Sequence, residues 1–233
     1  MKELTIHGCS FSENLKNNFY TDIEDKLSKD FNYANYAINS NSNQGIQESA
    51  ITAGEDSIAI IQWSALTRKL EWEKDWEYLD VISQPDALFR LLDRWINQVR
   101  TTTALLNQRG VKHFQYIGWA QWKDSELTDE YRQYLRALPI HWFESKEQED
   151  LIQSNCWQLN HNPNEWSDIK DGKITFPKLE WGGMSEWIRE NVDINDRYIG
   201  YDNHSKEKWF DPHPSATAGK QFFEQVIYPF IYE

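Results

Sequence analysis

Cysteine is scarce in this sequence of 233 residues, which contains only two. Cys9 and Cys156 lie far apart and form no Cys-x-x-Cys pair. This excludes a disulfide framework, and no ligand spacing resembles that of a zinc finger. The sequence also lacks the glycine-rich signatures of phosphate-binding loops and dinucleotide-binding folds, so we expect no cofactor.

Long apolar segments are missing as well. No run approaches the ~20 residues that a membrane-spanning helix needs. The opening segment, residues 1–6, is too short and too acidic for a signal peptide. Together with the low cysteine content, these features lead us to expect a cytoplasmic protein.

Basic residues are outnumbered by acidic ones. The chain carries 24 Lys and Arg against 37 Asp and Glu, a formal net charge of −13 at pH 7. Binding to nucleic-acid backbones or to anionic lipid depends on basic surfaces. We therefore expect neither nucleic acid nor a membrane as a partner, while the oligomeric state stays open.

Aromatic residues, in contrast, are abundant. They make up 15% of the chain and include 12 Trp, although hydrophobic residues reach only 39%. Two interpretations follow: the rings fill the core, or some of them line a surface that binds flat, sugar-like ligands.

Strand and helix patterns alternate along the chain, which favours an α/β fold with a mainly parallel sheet covered on both faces. The longest amphipathic pattern, at 86–108, ends at Arg109-Gly110, where glycine suits a left-handed cap. We interpret residues 1–233 as a single domain with an irregular insertion at about 155–208. The patterns predict strands at 4–7, 31–38, 56–63, 111–118 and 140–143, and helices at 12–29, 45–53, 86–108, 127–137, 145–154 and 215–232.

The first predicted strand ends in Gly8-Cys9-Ser10-Phe11-Ser12, directly before the first predicted helix. A serine at such a corner has its hydroxyl near helix N–H groups, which favour negative charge. This is a suitable place for a nucleophile and for part of an oxyanion hole. The structural alternative is a serine that caps the helix, a role that Ser12 can fill.

A second candidate segment, Asp211-Pro212-His213-Pro214-Ser215, precedes the last predicted helix. A serine nucleophile needs an imidazole that takes its proton and a group that orients the imidazole. An aspartate and a histidine held rigid by two prolines suit that task, although such a pair is also common in turns.

A metal site is the weaker alternative for the same residues. His161, Asp202 and His204 could join Asp211 or His213 around an ion. Their spacing is not that of a helical or finger-like ligand set, so we expect no metal.

The two segments together resemble the SGNH/GDSL hydrolases. Gly-Cys-Ser-Phe-Ser at 8–12 is similar to their first sequence block, and Asp-Pro-His-Pro-Ser at 211–215 is similar to their last. The resemblance implies a flavodoxin-like three-layer α/β/α sandwich in which Ser10 is the nucleophile, His213 the base and Asp211 its orienting acid. The sequence also resembles a branch of this family found in bacteriophages, which implies host cytoplasm or virion as the location.

The chain also differs from the family pattern. Cys9 stands where the family has Asp, the Asp-to-His spacing is one residue shorter, and the Gly-x-Asn-Asp block is missing. The resemblance implies that the N–H of Ser40 joins the nucleophile's own N–H in the oxyanion hole. Asn43 or Ser64 would then supply the side-chain donor, and Arg68 would help to shape the substrate pocket.

The resemblance implies an ester substrate, either a small molecule or an O-acetylated carbohydrate. Tryptophans flank the loops of the predicted site and could stack on sugar rings; they are Trp119, Trp122, Trp181, Trp187 and Trp209. The alternative is that these rings pack under the loops as part of the core.

Two other hypotheses remain. Cys9 could be the nucleophile, although a small buried side chain at that corner is the favoured interpretation. The chain could also keep the fold without catalysis, as a binding module or a virion or host-interaction protein.

Overall fold

The computed structural model describes residues 1–9, 12, 21–38, 41–64, 66, 87–118, 127–144, 168–170, 173–175, 181–193, 196–199 and 211–233. For residues 21, 87, 168–170, 173–175, 198–199 and 211–213 it describes the backbone alone. The predicted helix at 145–154 and residues 13–20 of the predicted helix at 12–29 lie outside the described residues.

A parallel sheet forms the centre of the fold. Its strands are β1 (Glu3–His7), β2 (Asn32–Asn35), β3 (Ile58–Trp63) and β4 (Lys112–Ile117), in the order β2-β1-β3-β4. This order is the first part of the flavodoxin-like order 2-1-3-4-5. All residues of β3 are buried, as its continuous apolar run predicts for a strand covered on both faces.

Helices cover both faces of the sheet. They are α1 (Thr21–Asp30), α2 (Asn43–Ala50), α3 (Ala87–Gln108), α4 (Asp129–Arg136), α5 (Met184–Asn191), α6 (Ala216–Phe222) and α7 (Tyr228–Tyr232). A π-helical turn, Phe223–Ile227, joins α6 to α7. The predicted α/β sandwich with a parallel sheet is confirmed.

Among the described residues, two hydrophobic clusters fill the spaces between these layers. Ile58 and Ile60 point into a cluster that contains Phe222 of α6, while Ala59 and Ile61 belong to a cluster that contains Trp95 of α3. Successive residues of a strand face opposite sides, so β3 contributes to both cores. The last helical segment, 216–232, therefore packs on the face opposite α3.

The end of α3 also agrees with the sequence-based prediction. Gly110 has a φ of 68°, the left-handed conformation that favours glycine at a helix end. An added Cβ there would lie 2.9 Å from Asp56 Oδ1.

The segment at 140–143 differs from the predicted fifth strand. His141 donates a main-chain hydrogen bond to Gln115 of β4, but the regular strand that follows is β5 (Phe143–Glu144). It pairs antiparallel with β8 (Trp181–Gly182), outside the parallel sheet. Two further antiparallel pairs are β6 (Asp168–Lys170) with β7 (Lys173–Thr175) and β9 (Tyr198–Ile199) with β10 (Asp211–Pro214).

Helix α5 lies within the stretch for which the sequence predicts no regular structure. Every residue from Met184 to Arg189 is buried, and this includes Glu186. Its apolar residues Met184, Trp187 and Ile188 do follow helical spacing, but the helix is only 8 residues long, so its pattern is too short to stand out in an irregular stretch. In the described part of the chain, no helix is both long and apolar enough to cross a membrane.

Candidate active site

The loops after β1, β2 and β3 meet at one edge of the sheet, where the strands have their carboxyl ends. Ile38 N donates to Gly8 O at 3.2 Å, and the Asn41 side chain donates to the same oxygen at 3.4 Å. Because His7 lies opposite Ile61 in the register, the residues after β1 lie beside the end of β3. In open α/β sheets this edge is where ligands bind.

Gln62 of β3 connects the end of β1 with the start of the next segment. Its Oε1 accepts from Cys9 N at 3.3 Å and from Ser12 Oγ at 3.1 Å. Its Nε2 donates to Cys9 Sγ at 3.1 Å and to Trp63 O at 3.2 Å. Because a carbonyl oxygen only accepts, Ser12 donates to Gln62 and takes a hydrogen bond from Tyr116 Oη at 3.3 Å.

The corner after β1 needs a glycine because of this network. A Cβ on Gly8 would lie 2.9 Å from Ser12 Oγ and 3.0 Å from Gln62 Oε1. Such close approaches would displace the very groups that hold the corner. Close packing therefore explains why the first residue of the Gly-Cys-Ser-Phe-Ser pattern is glycine.

Cys9 is fully buried and belongs to the hydrophobic cluster that includes Phe222. A thiol that reacts with substrate has to be reached by it, so the favoured interpretation of Cys9 as a buried small side chain is confirmed. The hydroxyl of Ser12 is also buried, and its described bonds go to Gln62 and Tyr116.

Asn43 and Ser64, the predicted side-chain donors of the oxyanion hole, are in contact. Asn43 Oδ1 accepts from Ser64 N at 2.7 Å, and Asn43 Nδ2 donates to Ser64 O at 3.2 Å. Asn43 begins α2, whose N-cap Ser42 accepts from Gly45 N at 3.1 Å. The amide thus joins the start of α2 to the end of β3.

The hydroxyl of Ser64 is buried at the carboxyl edge of the sheet and has no hydrogen-bond partner among the described residues. Ser64 as a whole is 3% exposed. A buried hydroxyl without a partner is costly, and a bound water, an ion or a ligand can satisfy it. Thr102 Oγ1 on α3 is also buried without a described partner, so Ser64 is a site candidate because of its position at this edge.

His7 lies at the end of β1 on the face covered by α2. Its Nδ1 is 3.2 Å from Ser49 Oγ, which itself donates to Ile46 O, so His7 Nδ1 carries the proton and donates. Tyr36 stacks on the imidazole with ring centroids 5.5 Å apart. Burial lowers the pKa of His7 to about 4, which keeps the ring neutral at physiological pH.

The segment with Asp211 and His213 forms β10, directly before α6. Ser215 caps α6 by accepting from Ala218 N at 3.0 Å. Phe222 of α6 packs against the ring of Tyr116, with centroids 5.2 Å apart. Helix α6 therefore lies on the same face of the sheet as the Ser12 hydroxyl, which Tyr116 also contacts.

Several predicted site residues lie outside the described part of the chain. They are Ser10, Ser40, Arg68, Trp119, Trp122 and Trp209, together with His161, Asp202 and His204 of the metal alternative. For Asp211 and His213 only the backbone is described. Within the described ranges, no group of His, Cys, Asp and Glu could hold a metal ion.

Two of the predicted sugar-stacking tryptophans belong to the core instead. Trp181 is 7% exposed and packs edge-on against Trp142 at 4.5 Å between centroids. Trp187 is 8% exposed and packs edge-on against Phe222 at 5.3 Å. Both are therefore packing residues, which agrees with the interpretation that the aromatic rings fill the core.

Gln62 is the residue that sequence reasoning did not single out. The sequence signal for Gln62 is a glutamine within the otherwise apolar strand β3, in which every residue is buried. A buried amide almost always has hydrogen-bond partners, so such a residue indicates a polar network inside the fold.

The fold and the site define an α/β sandwich with a polar loop cluster at the carboxyl edge of its parallel sheet. The sequence matches no family model and no curated protein. Similar solved structures include one described as a "putative acylhydrolase" from Bacteroides fragilis, with 11% identity and a TM-score of 0.43 over 99% of this chain and 86% of that one.

Two further structures are similar at the same level. TesA is 13% identical with a TM-score of 0.42, over 99% of this chain and 98% of that one. The protein YXIM from Bacillus subtilis is 10% identical with a TM-score of 0.39, over 96% of this chain and 56% of that one. Similarities at this level assign neither a family nor an activity to the chain.

Proposed function

We propose that this chain is a serine hydrolase that cleaves an ester bond, with Ser10 as the nucleophile. The observation that carries the proposal is the corner at the end of the central strand β1. Cys9 and Ser12 are held there by Gln62, which has room because residue 8 is glycine, at the edge of the sheet where α/β proteins bind ligands.

The position of the last helix supports His213 as the base. Helix α6 begins at Ala216 and packs, through Phe222, against Tyr116, which contacts Ser12. The strand that carries Asp211 and His213 therefore leads into a helix on the same face of the sheet as the corner.

In the proposed reaction Ser10 Oγ attacks the ester carbonyl carbon while His213 takes the hydroxyl proton. The tetrahedral intermediate collapses, the C–O bond to the alcohol breaks, and His213 returns the proton to the leaving alcohol. Water then attacks the acyl carbon while His213 takes its proton, the bond from the acyl carbon to Ser10 Oγ breaks, and His213 returns the proton to Ser10 Oγ as the carboxylic acid leaves. Asp211, or a backbone carbonyl, orients the imidazole.

The oxyanion of the intermediate is held by the N–H groups of Ser10 and Ser40 and by the hydroxyl of Ser64. Among the two side-chain candidates the described contacts favour Ser64. Both polar atoms of the Asn43 amide are bonded to the Ser64 main chain, whereas the Ser64 hydroxyl is unpartnered among the described residues. We therefore assign Asn43 to positioning and Ser64 to donation.

The substrate class we propose is a neutral ester, such as an O-acetyl group on a carbohydrate. The net charge of −13 disfavours an anionic substrate. Arg68, Trp119, Trp122 and Trp209 remain the proposed contacts of the substrate.

Hydrolysis of p-nitrophenyl acetate tests the proposal. We expect Ser10→Ala to lower kcat by about 10⁴-fold or more. The matched control is Ser57→Ala, because Ser57 is a buried serine before β3 whose hydroxyl donates to Gly54 O at 2.7 Å, at the opposite end of the strand. We expect this control to keep its activity.

A fluorophosphonate probe gives a second measurement. It should label wild-type protein and Ser57→Ala, but not Ser10→Ala. Equal hydrolysis by wild type and Ser10→Ala, or no labelling of correctly folded wild type, would reject the proposal. Clear binding on a glycan array without labelling would instead favour a non-catalytic binding module.

A further inference from the structure

We propose that Gln62 is a positioning residue for the nucleophile. Its amide fixes the chain on both sides of Ser10 and thereby sets the direction of the serine hydroxyl. The inference rests on the proposed function, because it takes Ser10 as the group that attacks the substrate.

The bonds of the Gln62 amide support this role. Oε1 binds the main chain at Cys9 and the side chain of Ser12, one before and one after the nucleophile. Nε2 binds Cys9 Sγ and the carbonyl of Trp63. Both ends of one rigid planar group are thus used, and rotation of the amide would break several bonds at once.

A hydroxyl chain extends the network. Tyr116 donates to Ser12, and Ser12 donates to Gln62, over distances of 3.3 and 3.1 Å. Burial raises the pKa of Tyr116, so its phenol stays protonated and remains a donor. In a buried site such chains of hydrogen bonds strengthen one another.

The space around the amide is shaped by two glycines. A Cβ on Gly8 would lie 3.0 Å from Gln62 Oε1, and a Cβ on Gly118 would lie 2.6 Å from Gln62 Nε2. The backbone after β1 and the backbone after β4 therefore both approach this amide closely. A side chain larger than glycine at either position would displace the amide.

Gln115 provides a matched comparison. It is also a buried glutamine, on the neighbouring strand β4, where Oε1 accepts from Trp63 Nε1 at 3.0 Å and Nε2 donates to Thr103 Oγ1 at 2.7 Å. Neither of these bonds involves Cys9 or Ser12. Loss of either glutamine amide removes buried hydrogen bonds, but only loss of the Gln62 amide releases the corner.

The experiment compares Gln62→Met with Gln115→Met in hydrolysis of p-nitrophenyl acetate and in urea unfolding. We expect both to be less stable than wild type. We expect Gln62→Met to lower kcat by about 10²-fold with little change in KM, because misplacement of a reacting group by about 1 Å has that effect. Gln115→Met should keep kcat and KM close to the wild-type values.

Gln62→Glu provides a second test, with kcat referred to the folded fraction at each pH, because a buried ionised carboxylate also lowers the stability of the fold. A protonated Glu keeps the acceptor oxygen and one donor, whereas the ionised form places a charge among buried acceptors, and burial raises its pKa. We therefore expect the ratio of kcat for Gln62→Glu to kcat for wild type to fall as pH rises. If Gln62→Met does not fold, this ratio decides the question.

Three results would overturn the inference. One is a wild-type kcat in folded Gln62→Met, another is an equal loss of kcat in Gln62→Met and Gln115→Met, and the third is a pH-independent ratio for Gln62→Glu. In each case the proposed function would still be supported if hydrolysis by the wild type depends on Ser10. Absence of Ser10-dependent hydrolysis in wild type would instead overturn both proposals.

Discussion

The side chain of Asn43 is bonded to the main chain of Ser64 through both of its polar groups, at 2.7 Å to the nitrogen and 3.2 Å to the oxygen. The pair is separated by 21 residues in sequence and joins the first turn of α2 to the end of β3. It makes the position of the Ser64 hydroxyl depend on the Asn43 amide.

Replacing Asn43 with Ala should therefore affect both stability and activity. The Ser64 N–H and carbonyl would lose these partners, and we expect a loss of about 1–3 kcal/mol in the free energy of unfolding. We also expect a lower kcat, because Ser64, the proposed oxyanion donor, would no longer be fixed. Urea denaturation and p-nitrophenyl acetate hydrolysis measure the two effects.

Asn107→Ala is the control for this substitution. Asn107 lies on α3, and its exposed Oδ1 is 3.0 Å from His113 Nε2, outside the loop cluster. It should change kcat little. An unchanged kcat in Asn43→Ala would mean that Asn43 does not position the site.

Ser64→Ala should separate stability from activity. Removing a buried hydroxyl that has no described partner should leave the free energy of unfolding unchanged or raise it. Loss of one oxyanion donor should lower kcat by ~10²–10³-fold. Urea denaturation and p-nitrophenyl acetate hydrolysis again measure the two effects.

Ser57→Ala should show the opposite pattern, because its hydroxyl is bonded to Gly54 O. We expect a loss of about 1 kcal/mol in stability and normal kcat. If Ser64→Ala keeps full activity, the oxyanion role of Ser64 is wrong.

Much of the fold can be predicted from sequence because the relevant signals are local. The run Ile58-Ala59-Ile60-Ile61 indicates a strand buried on both faces, and the pattern before Gly110 indicates a long helix. Helix α5 has a weaker signal, because its apolar stripe of Met184, Trp187 and Ile188 is short. Its buried Glu186 and Arg189, which bond to each other at 2.9 Å, also resemble surface residues in the sequence.

The candidate site is only partly predictable for a different reason. The motif around Gly8 identifies the corner, but the partners of that corner come from strand pairing over long sequence separations. Gln62 lies 53 residues from Cys9, and Tyr116 lies 104 residues from Ser12. The roles of Ser10, Asp211 and His213 stay predictions that the proposed experiments address.

Trp187→Ala tests the interpretation that this tryptophan packs in the core. Its ring lies against Phe222 and is 8% exposed, so we expect a loss of about 3–5 kcal/mol in the free energy of unfolding. KM of the folded fraction should not change. A raised KM with normal stability would return Trp187 to the list of substrate contacts.

His7 makes the stability of the fold depend on pH. Burial lowers its pKa from 6.5 to about 4, so below pH 6.5 the unfolded chain binds a proton that the folded chain does not. Stability contributed by the neutral ring is present above pH 6.5 and is lost as pH falls towards 4. The loss amounts to about 3 kcal/mol at most, from 1.36 kcal/mol per pKa unit.

His7→Phe should remove this dependence. Phenylalanine keeps a ring that can stack on Tyr36 but cannot take up a proton, while it gives up the bond to Ser49. We expect wild type to lose more stability than His7→Phe between pH 7 and pH 4 in urea unfolding experiments. All other titratable residues are shared, so the difference between the two curves isolates His7. Parallel curves would show that the proton uptake of the unfolded state does not come from His7.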